Sequence, residues 1–233
     1  MKSNIYVYLM GKKIESPQDL YEEKKSKYIK VARALVESLD DYILSSGKRN
    51  KDERLVASSL ILDSVFDLVS FASFPIPGGI KKDAFGKPSL CESDIKISIA
   101  HNEDYVVVAY ARDIEIGVDI EGEIDEEKAE KLSLRFFGIS SLNIEKKSSE
   151  MAEGNMKIYL FKMLDDGRFE PVSLAVADDS FTAKWTAAEA LMKCDGRGFS
   201  ALCEIERLKK RMNICSFCLQ FNDNKTYISI AEE

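Results

Sequence analysis

One eight-residue stretch, Ile114-Glu115-Ile116-Gly117-Val118-Asp119-Ile120-Glu121, constrains this chain more than any other. Every even position is apolar and every odd position is polar or glycine, which is the period of a β-strand. Successive strand side chains point to opposite faces, so Asp119 and Glu121 project from the same one. The apolar row requires a core on its side. Two neighbouring carboxylates repel unless a cation or a proton lies between them. Hard oxygen donors of this kind suit Mg²⁺, particularly when phosphate oxygens complete its octahedron. The alternative is an acidic strand that simply faces solvent, which alternation alone permits.

Three further groups carry chemistry. In Trp185-Thr186-Ala187-Ala188-Glu189-Ala190-Leu191-Met192-Lys193, the spacing predicts a helix with Glu189 and Lys193 on one face, beside an apolar stripe of Phe181, Trp185, Ala188 and Met192. A glutamate beside a buried stripe can reach a metal, and the lysine can neutralise phosphate; a solvent-exposed ion pair is the plainer reading. Ser98-Ile99-Ala100-His101-Asn102 ends a strand and places the chain's single histidine on a loop, where binding residues gather. Phe85-Gly86-Lys87-Pro88 offers a cation between turn residues, suited to an anion or to nothing more than a surface turn.

Around these groups the chain reads as an α+β fold. Strands are expected at 5–10, 97–99 and 105–111, and helices over 28–43, 55–66, 125–135 and 182–193. Hairpins are expected across Asp165-Asp166-Gly167, with arms 157–164 and 169–176, and across Asn222-Asp223-Asn224. The repeated βαβ rhythm of a parallel sheet is missing.

Composition narrows the function. With 33 Lys and Arg against 40 Asp and Glu, the net charge is −7, which argues against nucleic acid as the main partner. No apolar run approaches the roughly 20 residues needed to cross a bilayer, so a cytoplasmic protein without membrane contact is expected. Five cysteines in irregular spacing do not read as a disulfide framework. Cys215-Ser216-Phe217-Cys218 lacks the second pair of ligands a zinc site needs and alternates like a strand. A lone histidine excludes HExxH zinc helices, and neither GxSxG nor GxxxxGK[ST] occurs.

Taken in order, Gly86-Lys87-Pro88, Ser98-Ile99-Ala100-His101, Gly117-Val118-Asp119-Ile120-Glu121, Arg135-Phe136-Phe137 and Trp185-x-x-x-Glu189-Ala190-x-x-Lys193 with Gly196-x-Gly198 resemble the 4′-phosphopantetheinyl transferases. The likeness is to the larger, Sfp-like kind that activates peptide and polyketide synthases, and it covers most of the chain. It implies two similar α/β halves related by pseudo-twofold symmetry, here 1–112 and 113–233, with an inserted hairpin at 157–176 and the site in the cleft between the halves. The implied reaction moves the phosphopantetheine arm of coenzyme A onto a serine of an apo acyl, peptidyl or aryl carrier protein and releases adenosine 3′,5′-bisphosphate. A monomer suffices, since one chain supplies both sides of the cleft.

The resemblance also assigns roles. Asp119, Glu121 and Glu189 would hold Mg²⁺ with the coenzyme's pyrophosphate. Lys193 would contact the pyrophosphate and help the leaving group, so Glu189 and Lys193 are the catalytic candidates. His101, Ser98, Gly86, Lys87, Pro88 and Arg54 would bind the coenzyme's phosphates and adenosine end. Glu189 or a metal-bound water would be the base. The carrier would meet a basic surface for which Lys128, Lys131, Arg135, Lys146 and Lys147 are candidates.

The chain departs from the family pattern in four places, one of them the unusually long separation of Phe137 and Trp185. Ala188 stands where a cation usually precedes the glutamate, leaving Lys184 or Arg197 to reach in. Ala100 replaces a hydroxyl, and the acid usually found after RFF is missing from Gly138-Ile139-Ser140-Ser141. A degenerate relative that binds coenzyme A or a carrier without efficient catalysis is the second reading.

Overall fold

The computed structural model describes residues 3–45, 50–135, 156–221 and 224–233. Its first strand, β1 (Ser3–Gly11), has two buried faces: Ile5, Val7 and Leu9 point one way, and Tyr6, Tyr8 and Met10 the other. A strand apolar on both faces belongs at the centre of a sheet. It pairs antiparallel with β5 (Tyr105–Arg112) and parallel with β7 (Met156–Met163). With β4 (Ile95–His101) and β8 (Phe169–Pro171) at the edges, the order is β4-β5-β1-β7-β8.

A second sheet is entirely antiparallel. It runs β6-β11-β10-β9, from β6 (Ile116–Gly122) through β11 (Asn224–Glu232) and β10 (Asn213–Phe221) to β9 (Ala175–Val176). Ile5, Val7 and Leu9 pack with Val107 and Ala109 of β5, Ile116, Val118 and Ile120 of β6, and Ile228 and Ile230 of β11. The two sheets therefore share a core, in which each large side chain contributes about 1.5–3 kcal/mol relative to exposure. The break at residue 112 falls between β5 and β6, but β7 and β8 add to the first sheet from far along the chain.

Helices cover the outer faces. On the first sheet lie α1 (Pro17–Tyr28), α2 (Arg33–Leu44) and α3 (Lys51–Ala72), packed against Tyr6, Tyr8 and Met10. By length and composition α3 is long and apolar enough to cross a membrane, contrary to the expectation from hydropathy; 67% of that window is buried inside the fold. Its acids are partnered there. Asp67 accepts from the Tyr8 hydroxyl at 2.7 Å, and Asp63 accepts from Tyr28 at 2.7 Å with the Lys24 ammonium 3.1 Å away. On the second sheet lie α5 (Phe181–Asp195) and α6 (Ile205–Arg211), joined by a 3₁₀ segment; α4 (Glu126–Arg135) follows β6, and the short hairpin of β2 (Gly79–Lys82) and β3 (Pro88–Cys91) follows α3.

The mixed α+β class is as expected, and two local expectations change. The helix foreseen over 28–43 is the end of α1 and all of α2, separated by a turn at 29–32. The body of α1 is polar, burying only Tyr21, Lys24 and Tyr28, so its periodicity is faint; its signal is Ser16-Pro17, where the serine hydroxyl accepts from the Asp19 amide at 3.2 Å. The arm foreseen over 169–176 divides between the sheets: β8 ends at Pro171, which has no N–H to give, and Ala175–Val176 pairs with β10 instead. Cys215 and Cys218 lie on β10 and all five cysteines are free. Phe136, Phe137, Gly138, Lys146 and Lys147 lie outside the described residues.

Candidate active site

The odd positions of β6 do not face solvent. They face α5, and Gly117 is the reason the two elements can meet. A β-carbon built there would overlap the Ala190 carbonyl oxygen and the Cys194 amide of α5, with the Cys194 Cα only 3.0 Å away. The small residues Ala187, Ala188 and Ala190 of the helix are all buried. The helix is fixed at both ends: the Ser180 hydroxyl accepts from the Ala183 amide at 3.2 Å, and Gly196 closes the other end with φ +88. From above the sheet, the Ser98 hydroxyl on β4 accepts from the Val118 amide at 3.0 Å and ties β6 to the first sheet.

This close contact buries Asp119, which is 3% exposed. Its Oδ1 accepts from the Lys193 ammonium at 2.6 Å, while Oδ2 is buried with no hydrogen-bond partner. Glu121, one pleat further along β6, and Glu189, one turn before Lys193 on α5, lie close enough to perturb each other. Burial first, then the Asp119 carboxylate, pushes Glu189 from its ordinary 4.5 up to about 8, against the pull of Lys193. Burial and Asp119 likewise raise Glu121, opposed by Lys128 and Lys193. Three carboxylates and one ammonium thus form a single electrostatic unit.

The unit predicts a stability effect. Between about 4.5 and about 8 the folded state keeps the Glu189 proton that the unfolded chain has lost. Stability therefore falls as pH rises through that window. Glu189→Gln removes the penalty, so the variant should melt higher than the parent at pH 8 and by a smaller margin at pH 5. Thermal denaturation at the two pH values checks this; a margin independent of pH would contradict it.

His101, at the end of β4, completes the cleft. It feels the charges of both Lys193 and Asp119, and burial outweighs its acidic neighbours to lower its pKa. Beside it a cleft of about 570 Å³ is lined by Lys12, Glu53, His101, Glu121 and Lys128, among others. A larger groove of about 1080 Å³ lies between the loop after β1, α1 and the β7–β8 turn, and of the expected site residues it contains none.

The remaining expected residues form two satellites. Gly86, with φ +89, shapes the turn between β2 and β3, and Pro88 begins β3. Lys87 reaches from that turn to the end of α5, donating to the Cys194 carbonyl and to Glu115 Oε2, both at 2.7 Å. Glu115 is shared with Lys96 at 2.8 Å; burial favours its protonated form, but the two lysines together hold it below the usual carboxylate range. Arg54, in the first turn of α3, donates to the Tyr42 carbonyl at 2.6 Å and to Ser45 at 2.9 Å. The guanidinium and the Lys82 ammonium both lie over the Tyr42 ring, 4.8 and 4.7 Å from its centre. Burial and then Arg54 lower the Lys82 pKa, as expected of two cations side by side.

Asp119, Glu121, Glu189, Lys193 and His101 are therefore together, Lys87 meets the C-terminal end of α5, and Ser98 is a buried tie between strands. Lys12, Glu53 and Lys82 escaped the sequence reading because each is an ordinary charge in an ordinary polar stretch, and Lys128, expected on the carrier-facing surface, lines the cleft. The helical offset of Glu53 from Arg54 was the one available hint. Among the described residues the cation absent at Ala188 has no evident substitute: Ala188 is fully buried, Lys184 pairs with Asp179 at 3.2 Å, and Arg197 is held by Asp195 and Glu204 at 2.6 and 2.8 Å.

A hard divalent cation suits this donor set, with an unpartnered buried oxygen on Asp119 and a glutamate unusually ready to hold a proton in place of a metal. Among the described residues no three His, Cys, Asp or Glu side chains already converge as a metal-holding group; the Lys193 ammonium is the positive charge on Asp119. No protein-family model matches the chain, and no curated protein matches it.

Proposed function

We propose that this chain is a 4′-phosphopantetheinyl transferase that moves the phosphopantetheine arm of coenzyme A onto a serine of an apo carrier protein. The observation that carries the reading is the meeting of Asp119, Glu121, Glu189 and Lys193 where β6 packs on α5, beside His101. The order of motifs from Gly86 to Gly198 supports it independently. Two sheets, each backed by helices, fit the implied pair of halves, and the cleft between β4 and β6 fits a site at their junction.

In this reading Asp119, Glu121 and Glu189 would hold Mg²⁺, which supplies charge neutralisation to the diphosphate. Lys193 leaves Asp119 for a phosphate oxygen and stabilises the charge that gathers on the departing adenosine 3′,5′-bisphosphate. The carrier serine oxygen forms a bond to the pantetheine-side phosphorus as the bond to the bridging oxygen breaks. The serine proton passes to a base at the site, for which Glu189 is the candidate side chain. Arg54, Lys82 and Lys87 are the cations this reading assigns to the adenosine end, Arg54 and Lys87 each holding a helix-end carbonyl in the free protein.

Isothermal titration of coenzyme A with and without Mg²⁺ tests the reading at its first step. An affinity that weakens at least about tenfold when Mg²⁺ is chelated is expected. No binding in either condition would refute it. The binder-without-transfer alternative draws on one observation, the absence among the described residues of a free cation in the place of Ala188. It predicts the same titration but no modification of any carrier.

A further inference from the structure

At the mouth of the cleft, side chains from three separate elements meet around a group that the proposed reaction has not yet used. Glu53, in the first turn of α3, places Oε2 3.3 Å from His101 Nε2 and accepts from the Lys12 ammonium on Oε1 at 2.8 Å. Lys12, just beyond β1, also donates to the carbonyl of Asn102 at 2.8 Å, the residue that follows His101. Two of its three N–H donors are thereby fixed and one remains. The Glu53 side chain is 28% exposed, whereas that of His101 is 48% exposed and opens on the cleft.

The chemistry of imidazole makes the position of Glu53 consequential. A neutral ring with its proton on Nε2 donates to Glu53 and leaves Nδ1 an acceptor, which repels a phosphate oxygen. Only the doubly protonated ring donates from both nitrogens. Four charges face His101: Glu53 from α3, Lys12 from the end of β1, Lys193 from α5 and Asp119 from β6. The two lysines oppose its protonation, and so does burial. Asp119 is already paired with Lys193, so Glu53 is the acid committed to the ring.

We propose that Glu53 is a positioning residue for coenzyme binding: it grips His101 through Nε2, leaves Nδ1 as the donor toward a phosphate of the ligand, and holds the Lys12 ammonium beside it. This rests on the reading that the cleft takes the phosphates of coenzyme A. Glu53 does not touch the reacting atoms, so it acts on binding rather than on the chemical step.

Because the chain contains one histidine, its imidazole proton resonances titrate without ambiguity. In Glu53→Gln the His101 pKa should fall by about one unit relative to the parent, and in Glu53→Asp by clearly less. The KM for coenzyme A at pH 7.5 should rise about tenfold in Glu53→Gln with kcat within about twofold of the parent. The KM defect should shrink toward pH 6, as the variant's imidazole regains part of its protonation. A His101 titration unchanged by Glu53→Gln overturns the proposal, as does a loss of kcat at constant KM. Coenzyme A added to the parent protein separates the two layers. If it leaves the imidazole resonances unmoved, the cleft reading fails, whereas the ligand-free titration still decides whether Glu53 governs His101.

Discussion

Asp119→Asn is expected to lower Mg²⁺-dependent transfer by roughly 10³-fold, the loss typical when one charge-stabilising group is removed from a preorganised site. The substitution keeps shape, removes the charge and turns one acceptor oxygen into an N–H donor. It removes the carboxylate that places Lys193 at 2.6 Å and takes away the one oxygen in the site that is buried without a hydrogen-bond partner. The fold should survive, because Lys193 is 32% exposed and its ammonium can turn to water. Circular dichroism should therefore match the parent, and coenzyme binding should lose its Mg²⁺ dependence. Transfer within about tenfold of the parent would remove Asp119 from the machinery.

Gly117→Ala should have the largest effect on stability. One methyl group at this position overlaps backbone atoms of α5, at Ala190 and Cys194, rather than the tip of a flexible side chain. Neither element can yield: β6 is paired along its length with β11, and α5 is held by its caps and by the cluster around Trp185 and Leu191. Overpacking of this kind costs about 3 kcal/mol or more, which for a chain of this size lowers the melting temperature by roughly 10 °C. Displacing α5 also carries Glu189 and Lys193 away from Asp119, so activity should fall with stability. A melting temperature within about 2 °C of the parent would mean that β6 and α5 do not meet as described.

These two positions mark how far the sequence could be read. The alternation from Ile114 to Glu121 placed Gly117, Asp119 and Glu121 on one face, and they are on one face. Alternation could not say what covers that face. Burial of Asp119 depends on α5, some 65 residues later, and on a glycine whose purpose is close approach rather than a turn. The four-residue spacing of Glu189 and Lys193 was visible for the same reason, since local periods are written in local sequence.

What local sequence does not record is which charges are already committed. Lys87 and Arg54 read as free cations for phosphate, and the fold gives each of them a helix C-terminal carbonyl to hold, Cys194 and Tyr42. Cations at such carbonyls are stabilised by the helix dipole, so both can be structural in the free protein and still be close at hand for a ligand. Ser98 is a sharper case. Its place in Ser98-Ile99-Ala100-His101 pointed to the coenzyme, and its hydroxyl instead binds the Val118 amide between the sheets. Glu53 and Lys12 were invisible because their meeting with His101 joins three elements separated by up to 90 residues. The division of 169–176 between two sheets belongs to the same class, decided by pairing partners that no local window contains.

The account as a whole turns on whether the cleft at β6 and α5 transfers phosphopantetheine. Intact-mass analysis of a panel of apo carrier proteins, after incubation with the chain, coenzyme A and Mg²⁺, measures that directly. The expected result is a phosphopantetheine increment on at least one carrier serine, lost on chelation of Mg²⁺ and lost again with Asp119→Asn. An unmodified panel under conditions where coenzyme A binds, or a modification that persists in Asp119→Asn, would contradict it.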